Sequence, residues 1–181
     1  ERVKQVLIND FGLEEKNIQL DGLKNADALE PFVKRMNKIR QETGLVLPNI
    51  KAVEVIEGDP CCISSYKPYE NSLYISSKYF NSKNAIEDTL KDWSSNKIMP
   101  KQAKSIQFLA EHEAAHIRIP KQLIESENGY NIFKKAIKAG VCENDKNIYE
   151  FYADSMALSR IGYSDKIVEL VTEHLHQGGI R

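Results

Sequence analysis

Apolar residues recur at spacings of three and four over 26–41, where Leu29, Phe32, Val33, Met36 and Ile39 share one face. The pattern predicts an amphipathic helix that Gly44 closes. The period then changes. From Val46 to Ile56 the β-branched content rises, with Val53, Val55 and Ile56 after Pro48, and Asn71 to Ser76 alternates around Leu73 and Ile75. Both read as short strands. The turn-rich segment between them, with Gly58, Pro60 and Pro68, makes a small antiparallel sheet the economical arrangement.

The helical period returns after residue 82. Ser82 is placed to cap a helix carrying Ile86, Leu90 and Trp93 on one face. A better-defined helix lies beyond Pro100 and must stop at Pro120, because proline lacks an N–H and clashes with the preceding turn. Another helix begins after Asn144 or Asp145 and ends at Gly162, and Ser164 caps a last one bearing Ile167, Val168, Leu170, Val171 and Leu175. The order is helix, strands, then four helices, which predicts a mainly helical α+β fold. The chain has 181 residues, 41% of them hydrophobic, and no repeat or low-complexity linker. That is enough for one well-buried core, so a single domain spanning 1–181 is expected.

The helix that ends at Pro120 carries His112-Glu113-Ala114-Ala115-His116. Two histidines four apart lie one turn apart on the same helical face, where both imidazoles reach one metal ion. Glu113 is about 100° further around the helix than His112, close enough to hold a metal-bound water without being a ligand. Zinc suits such a site, since it accepts imidazole and carboxylate in tetrahedral geometry and leaves one position for water. Glu113 is then the general base for that water.

The run is flanked by Ile106, Phe108, Leu109, Ala110, Ile117 and Ile119, so this helix is expected to be buried. A third protein ligand is required. The segment Ile148 to Leu158 offers Glu150 and Asp154, one turn apart among apolar and aromatic residues, where buried carboxylates need a cation or hydrogen-bond donors. We take Glu150 as the ligand and Asp154 as the group that accepts a hydrogen bond from the outer nitrogen of a zinc histidine, although the spacing permits the reverse.

His112-Glu113-x-x-His116 followed by Glu150-x-x-Ala153-Asp154 resembles the signature of the gluzincin metallopeptidases. The segment Glu150 to Asp154 is also similar to the corresponding helix of the anthrax lethal factor protease domain. More loosely, residues 71–116 resemble the zincin-like domains of some phage minor head and mobile-element proteins. The resemblance implies a zincin-like domain, with zinc held by His112, His116 and Glu150, that hydrolyses peptide bonds in a peptide or protein substrate. A catalytically inactive zinc-binding module in a phage or mobile-element assembly is the alternative it allows. Ala115 stands where many such helices have glycine. Members of the class add a tyrosine or histidine that stabilises the oxyanion, for which Tyr130, Tyr163, His174 and His176 are available.

Charge narrows the partners. Lys and Arg total 25 against 26 Asp and Glu, with the signs mixed, so no nucleic-acid or anionic-membrane surface is expected. No stretch approaches the roughly 20 apolar residues that span a bilayer. Three cysteines, with Cys61 and Cys62 adjacent, argue against a disulfide framework and for a reducing, cytoplasmic compartment. The chain starts without Met and reads as a fragment. His174 and His176 face different directions near Gly178 and read as solvated residues at a fraying end. Cys61 and Cys62 read as small loop or buried residues, and Tyr66, Tyr69 and Tyr74 as half-buried packing.

Overall fold

The first regular element, α1 (Arg2–Asn9), and the short strand β1 (Ile18–Gln19) precede the long helix α2 (Glu30–Thr43). The computed structural model describes residues 2–58, 62–96, 98–143 and 146–181. In α2 the residues Phe32, Val33, Met36 and Ile39 are buried, as their spacing requires, and Gly44 closes it in the left-handed region at φ 71°. The strands β2 (Asn49–Val53), β3 (Ser64–Lys67) and β4 (Ser72–Ser76) follow.

The sheet is mixed, with strand order β1-β2-β4-β3, and this corrects the antiparallel arrangement expected from sequence. β1 pairs parallel with β2, and β2 parallel with β4, in register Ile50↔Leu73. Only β3 and β4 are antiparallel, in register Ser64↔Ile75. The reason is connectivity. α2 carries the chain back between β1 and β2, which forces a parallel pair, and β3 takes the return direction so that β4 enters beside β2. β2 is also shorter than the 46–56 stretch, with Val46 and Val55 exposed.

Five further helices carry the rest: α3 (Lys83–Ser95), α4 (Ile106–Arg118), the short α5 (Lys121–Ile124), α6 (Glu127–Lys138) and α7 (Ile148–Arg160), before the last, α8 (Lys166–Gln177). Ser82 caps α3 by accepting from the Ala85 N–H, and Ser105 caps α4 through the Phe108 N–H. α7 starts behind Asn147, whose side chain accepts from the Tyr149 N–H; Asn144 and Asp145 lie outside the described residues, as do Pro60 and Cys61. The cap of α8 is Asp165 and not Ser164. A carboxylate takes both the Ile167 and Val168 N–H groups, while the Ser164 hydroxyl donates to Glu169. Among the described residues, no helix is long and apolar enough to cross a membrane.

α4 is the central element. Residues 108–115 are buried without interruption. Leu109, Ala110 and Ala114 join the core formed by α1, α2 and the sheet; Ala115 joins the core of α5–α8; Phe108 packs with Ala157, Leu158 and Val168.

Candidate metal centre

Charge fixes the rotation of α4 before any ligand is considered. Glu111, 1% exposed, accepts from Arg35 Nε on α2 (2.8 Å) and from Arg160 Nε on α7 (2.7 Å). A buried carboxylate tied to guanidinium groups on two neighbouring helices sets how α4 faces α7. The next residue around the helix, His112, consequently points at α7.

His112, His116 and Glu150 come together there. Nε2 of His112 lies 3.0 Å from Nε2 of His116, and the two nitrogens lie 3.2 and 3.0 Å from Oε2 and Oε1 of Glu150. These are the one group of three His, Cys, Asp or Glu side chains, among the described residues, able to hold a metal ion together. Zinc ligands at about 2.0–2.1 Å in a tetrahedron lie about 3.3 Å apart. The observed separations of 3.0 to 3.2 Å lie just inside that edge, and two imidazoles with one carboxylate supply three of a tetrahedron's four ligands. The three side chains are therefore spaced so that they could hold a metal ion between them.

Asp154 lies one turn further along α7. Its Oδ1 is 2.9 Å from Nδ1 of His112 and, being an acceptor, holds a proton on Nδ1, so that Nε2 faces Glu150 and His116 and is the nitrogen that a metal would take. Its Oδ2 accepts from Lys146 Nζ at 2.6 Å. The structure distinguishes the two carboxylates by exposure: the Asp154 side chain is 9% exposed and that of Glu150 47%, so the expected buried pair is one buried group and one at the mouth of the site.

The electrostatics are those of a site built around positive charge. Burial pulls the His112 imidazolium down, but the hydrogen bonds to Asp154 and Glu150 outweigh it and hold His112 well above its ordinary value. Burial likewise pushes the Glu150 carboxyl up and is outweighed by both imidazoles, which hold it far below the usual carboxylate range. Asp154 is lowered too, as His112 and Lys146 overcome its burial.

Glu113 is 2% exposed and turns away from α7 toward the sheet. Its Oε1 accepts from the Ser64 hydroxyl of β3 at 2.6 Å. Its Oε2 is buried and has no hydrogen-bond partner among the described residues. A buried carboxylate oxygen is costly in that condition, so its retention calls for an explanation beyond packing.

The remaining candidates lie elsewhere. His174 is buried, not solvated: Nε2 donates to the Leu123 carbonyl (2.9 Å) and Nδ1 accepts from Asn128 Nδ2 (3.0 Å), so it ties α8 to α5 and α6. Tyr163 donates to Asp165, and His176 lines a surface groove with Glu169 and Glu173. Tyr66 packs against the core, Tyr69 is almost wholly exposed, and Tyr74 lies under the Lys51 and Lys67 ammonium groups. Cys62 donates to the Ser64 carbonyl.

Sequence reasoning missed Ser64 and Lys146. Ile63 and Tyr66 around Ser64 favour a strand, but four residues before Pro68 are too few to show a period. Lys146 carries no local signal. Comparison of the chain with protein-family models, with curated proteins and with solved structures returns no match.

Proposed function

We propose that this chain is a zinc-dependent metallopeptidase, with His112, His116 and Glu150 holding the metal and Glu113 acting as general base. One observation carries the reading: the helix that brings two of the three ligand atoms to tetrahedral-edge spacing also carries, next to His112, a buried carboxylate whose one oxygen is held by Ser64 and whose other has no partner among the described residues. A structural metal site has no use for such a group.

Zinc in a site of this kind supplies Lewis acidity, polarising a carbonyl oxygen and lowering the pKa of water. The protein's own part is proton transfer and alignment. Glu113 Oε2 accepts a proton from the water whose oxygen attacks the scissile carbonyl carbon, and gives it to the amide nitrogen as the C–N bond breaks. Acid and amine leave with all atoms accounted for. Ser64 keeps the carboxylate from rotating away during both transfers.

An extended substrate needs a strand edge. β4, with Leu73 and Ile75, lies between β2 and β3 and offers none; among the described residues β3 pairs on one side only. Ser76 N–H donates to the Ile63 carbonyl, so ladder alternation turns the Tyr66 N–H and C=O away from β4. β3 packs beside α4, which favours it as the strand that pairs with substrate.

The test is metal analysis of protein purified without a histidine tag, combined with digestion of a peptide library by the parental chain and Glu113→Gln. We expect about one zinc per chain in both, and turnover at least roughly 100-fold lower in the variant. Absence of bound metal in the parental chain, or parental turnover in the variant, overturns the reading.

A further inference from the structure

We propose that Lys146 is a positioning residue of the metal centre: its ammonium, held on the outer oxygen of Asp154, fixes the carboxylate that aims the His112 imidazole at a bound metal. The inference rests on the metal-centre reading above and adds a residue that lies outside both motifs.

The control that Lys146 exerts is torsional. The terminal torsions of aspartate and histidine are broad and roughly two-fold, so neither side chain selects its own plane, and external partners must do so. Asp154 is held at both ends by different parts of the chain. Oδ1 meets His112 Nδ1 from α4 at 2.9 Å, and Oδ2 meets Lys146 Nζ from the segment ahead of α7 at 2.6 Å. With a single partner the carboxylate could pivot about that contact; with two, its plane is determined. The His112 ring, which reads that plane through Nδ1–H, then presents Nε2 in one direction, toward His116 Nε2 and Glu150.

Burial makes the second partner necessary. The Asp154 side chain is only 9% exposed and that of Lys146 26%, so loss of the ammonium leaves Oδ2 in a place where water has limited access. The lysine's charge opposes a nearby cation, so attraction to metal cannot be the reason it is there. Its role is geometric, acting through Asp154, and it touches neither metal nor substrate.

Zinc affinity measured by chelator competition on the purified chain tests this, using Lys146→Met, Lys146→Arg and, as a control for the site itself, His112→Ala. We expect Lys146→Met to weaken zinc binding by roughly 10-fold or more, the range seen when a metal histidine loses its orienting partner. Lys146→Arg keeps the charge and the donors and should restore parental affinity. The visible spectrum of the cobalt(II)-loaded protein should change shape in Lys146→Met and return in Lys146→Arg, a signature that a merely destabilised fold would not produce. Lys146→Leu, which likewise lacks any donor, serves the same comparison should Lys146→Met not fold. Parental or tighter zinc binding in the folded neutral variant, or an arginine variant no better than it, overturns the proposal. A parental chain that takes up no zinc, or a His112→Ala chain that keeps it, sinks the metal-centre reading itself.

Discussion

Glu113 meets the sheet through one hydroxyl, that of Ser64, and the consequence can be measured. Ser64→Ala removes the donor to Oε1 and leaves both oxygens of a buried carboxylate without partners. The cost of an unsatisfied buried group is about 1–3 kcal/mol, more when it is charged. We expect Ser64→Ala to keep its zinc, lose about that much stability in urea unfolding, and cleave peptides roughly 10-fold more slowly. Unchanged turnover would remove Ser64 from the mechanism. The meeting of His112 and His116 with Glu150 was legible in the sequence because a helix turns spacing directly into direction, and the place of Asp154 one turn on from Glu150 for the same reason. Ser64 was not, since it meets Glu113 across 49 residues and only the folded sheet brings it there.

α4 is held between α2 and α7 by one buried carboxylate and two guanidinium groups, and its stability follows from that arrangement. Arg35 and Arg160 are 15% and 19% exposed, and Arg118 is held below its ordinary value by its own burial and by Arg160. Glu111→Ala therefore leaves Arg35 and Arg118 without the carboxylate they share with Arg160, which keeps its ion pair with Glu42. We expect a loss of about 3–5 kcal/mol, the range for breaking a buried ion pair from one side, read as a lower denaturant midpoint. A change under about 0.5 kcal/mol, ordinary for surface sites, would show that packing alone orients α4. The helices α2, α3 and α4 were readable because each pairs a repeating apolar face with a clear stop or cap at Gly44, Ser82 and Pro120. α6 was missed, although Ser126 caps it, because Gly129 interrupts the pattern. That glycine is there for contact: a Cβ would strike the Ile124 carbonyl, and the Gly129 carbonyl accepts from Tyr152. The sheet was misread for a different reason. Alternation identifies a strand but carries no direction, and the direction came from α2 and from the unread strand β3.

Across the whole molecule, a metal bound by His112 and His116 on α4 and by Glu150 on α7 would cross-link two helices already packed together through Ala115 and Phe108, so binding and stability should be coupled. Zinc at 100 times its dissociation constant adds about 2.7 kcal/mol to the folded form, which for a chain of this size raises the melting temperature by roughly 5–10 °C. The pH dependence of that increment follows from His112. Its folded value stands above the unfolded one, so its protonated form, paired with Asp154 and Glu150, stabilises the chelated protein fully below about pH 6.5. That contribution is lost as pH rises through the folded value. Zinc requires the neutral imidazole and must expel the same proton, so its own binding strengthens as pH rises. Glu150 and Asp154 are depressed, so their contributions are present above the unfolded carboxylate values and stay constant over this window. Both statements describe one proton, the one that zinc displaces from His112, so the gap in melting temperature between zinc-saturated and chelated protein should widen from pH 6 to pH 8. Differential scanning calorimetry at three pH values, with zinc or with a chelator, measures that gap. A gap that narrows with rising pH would mean that His112 is not the proton competing with the metal.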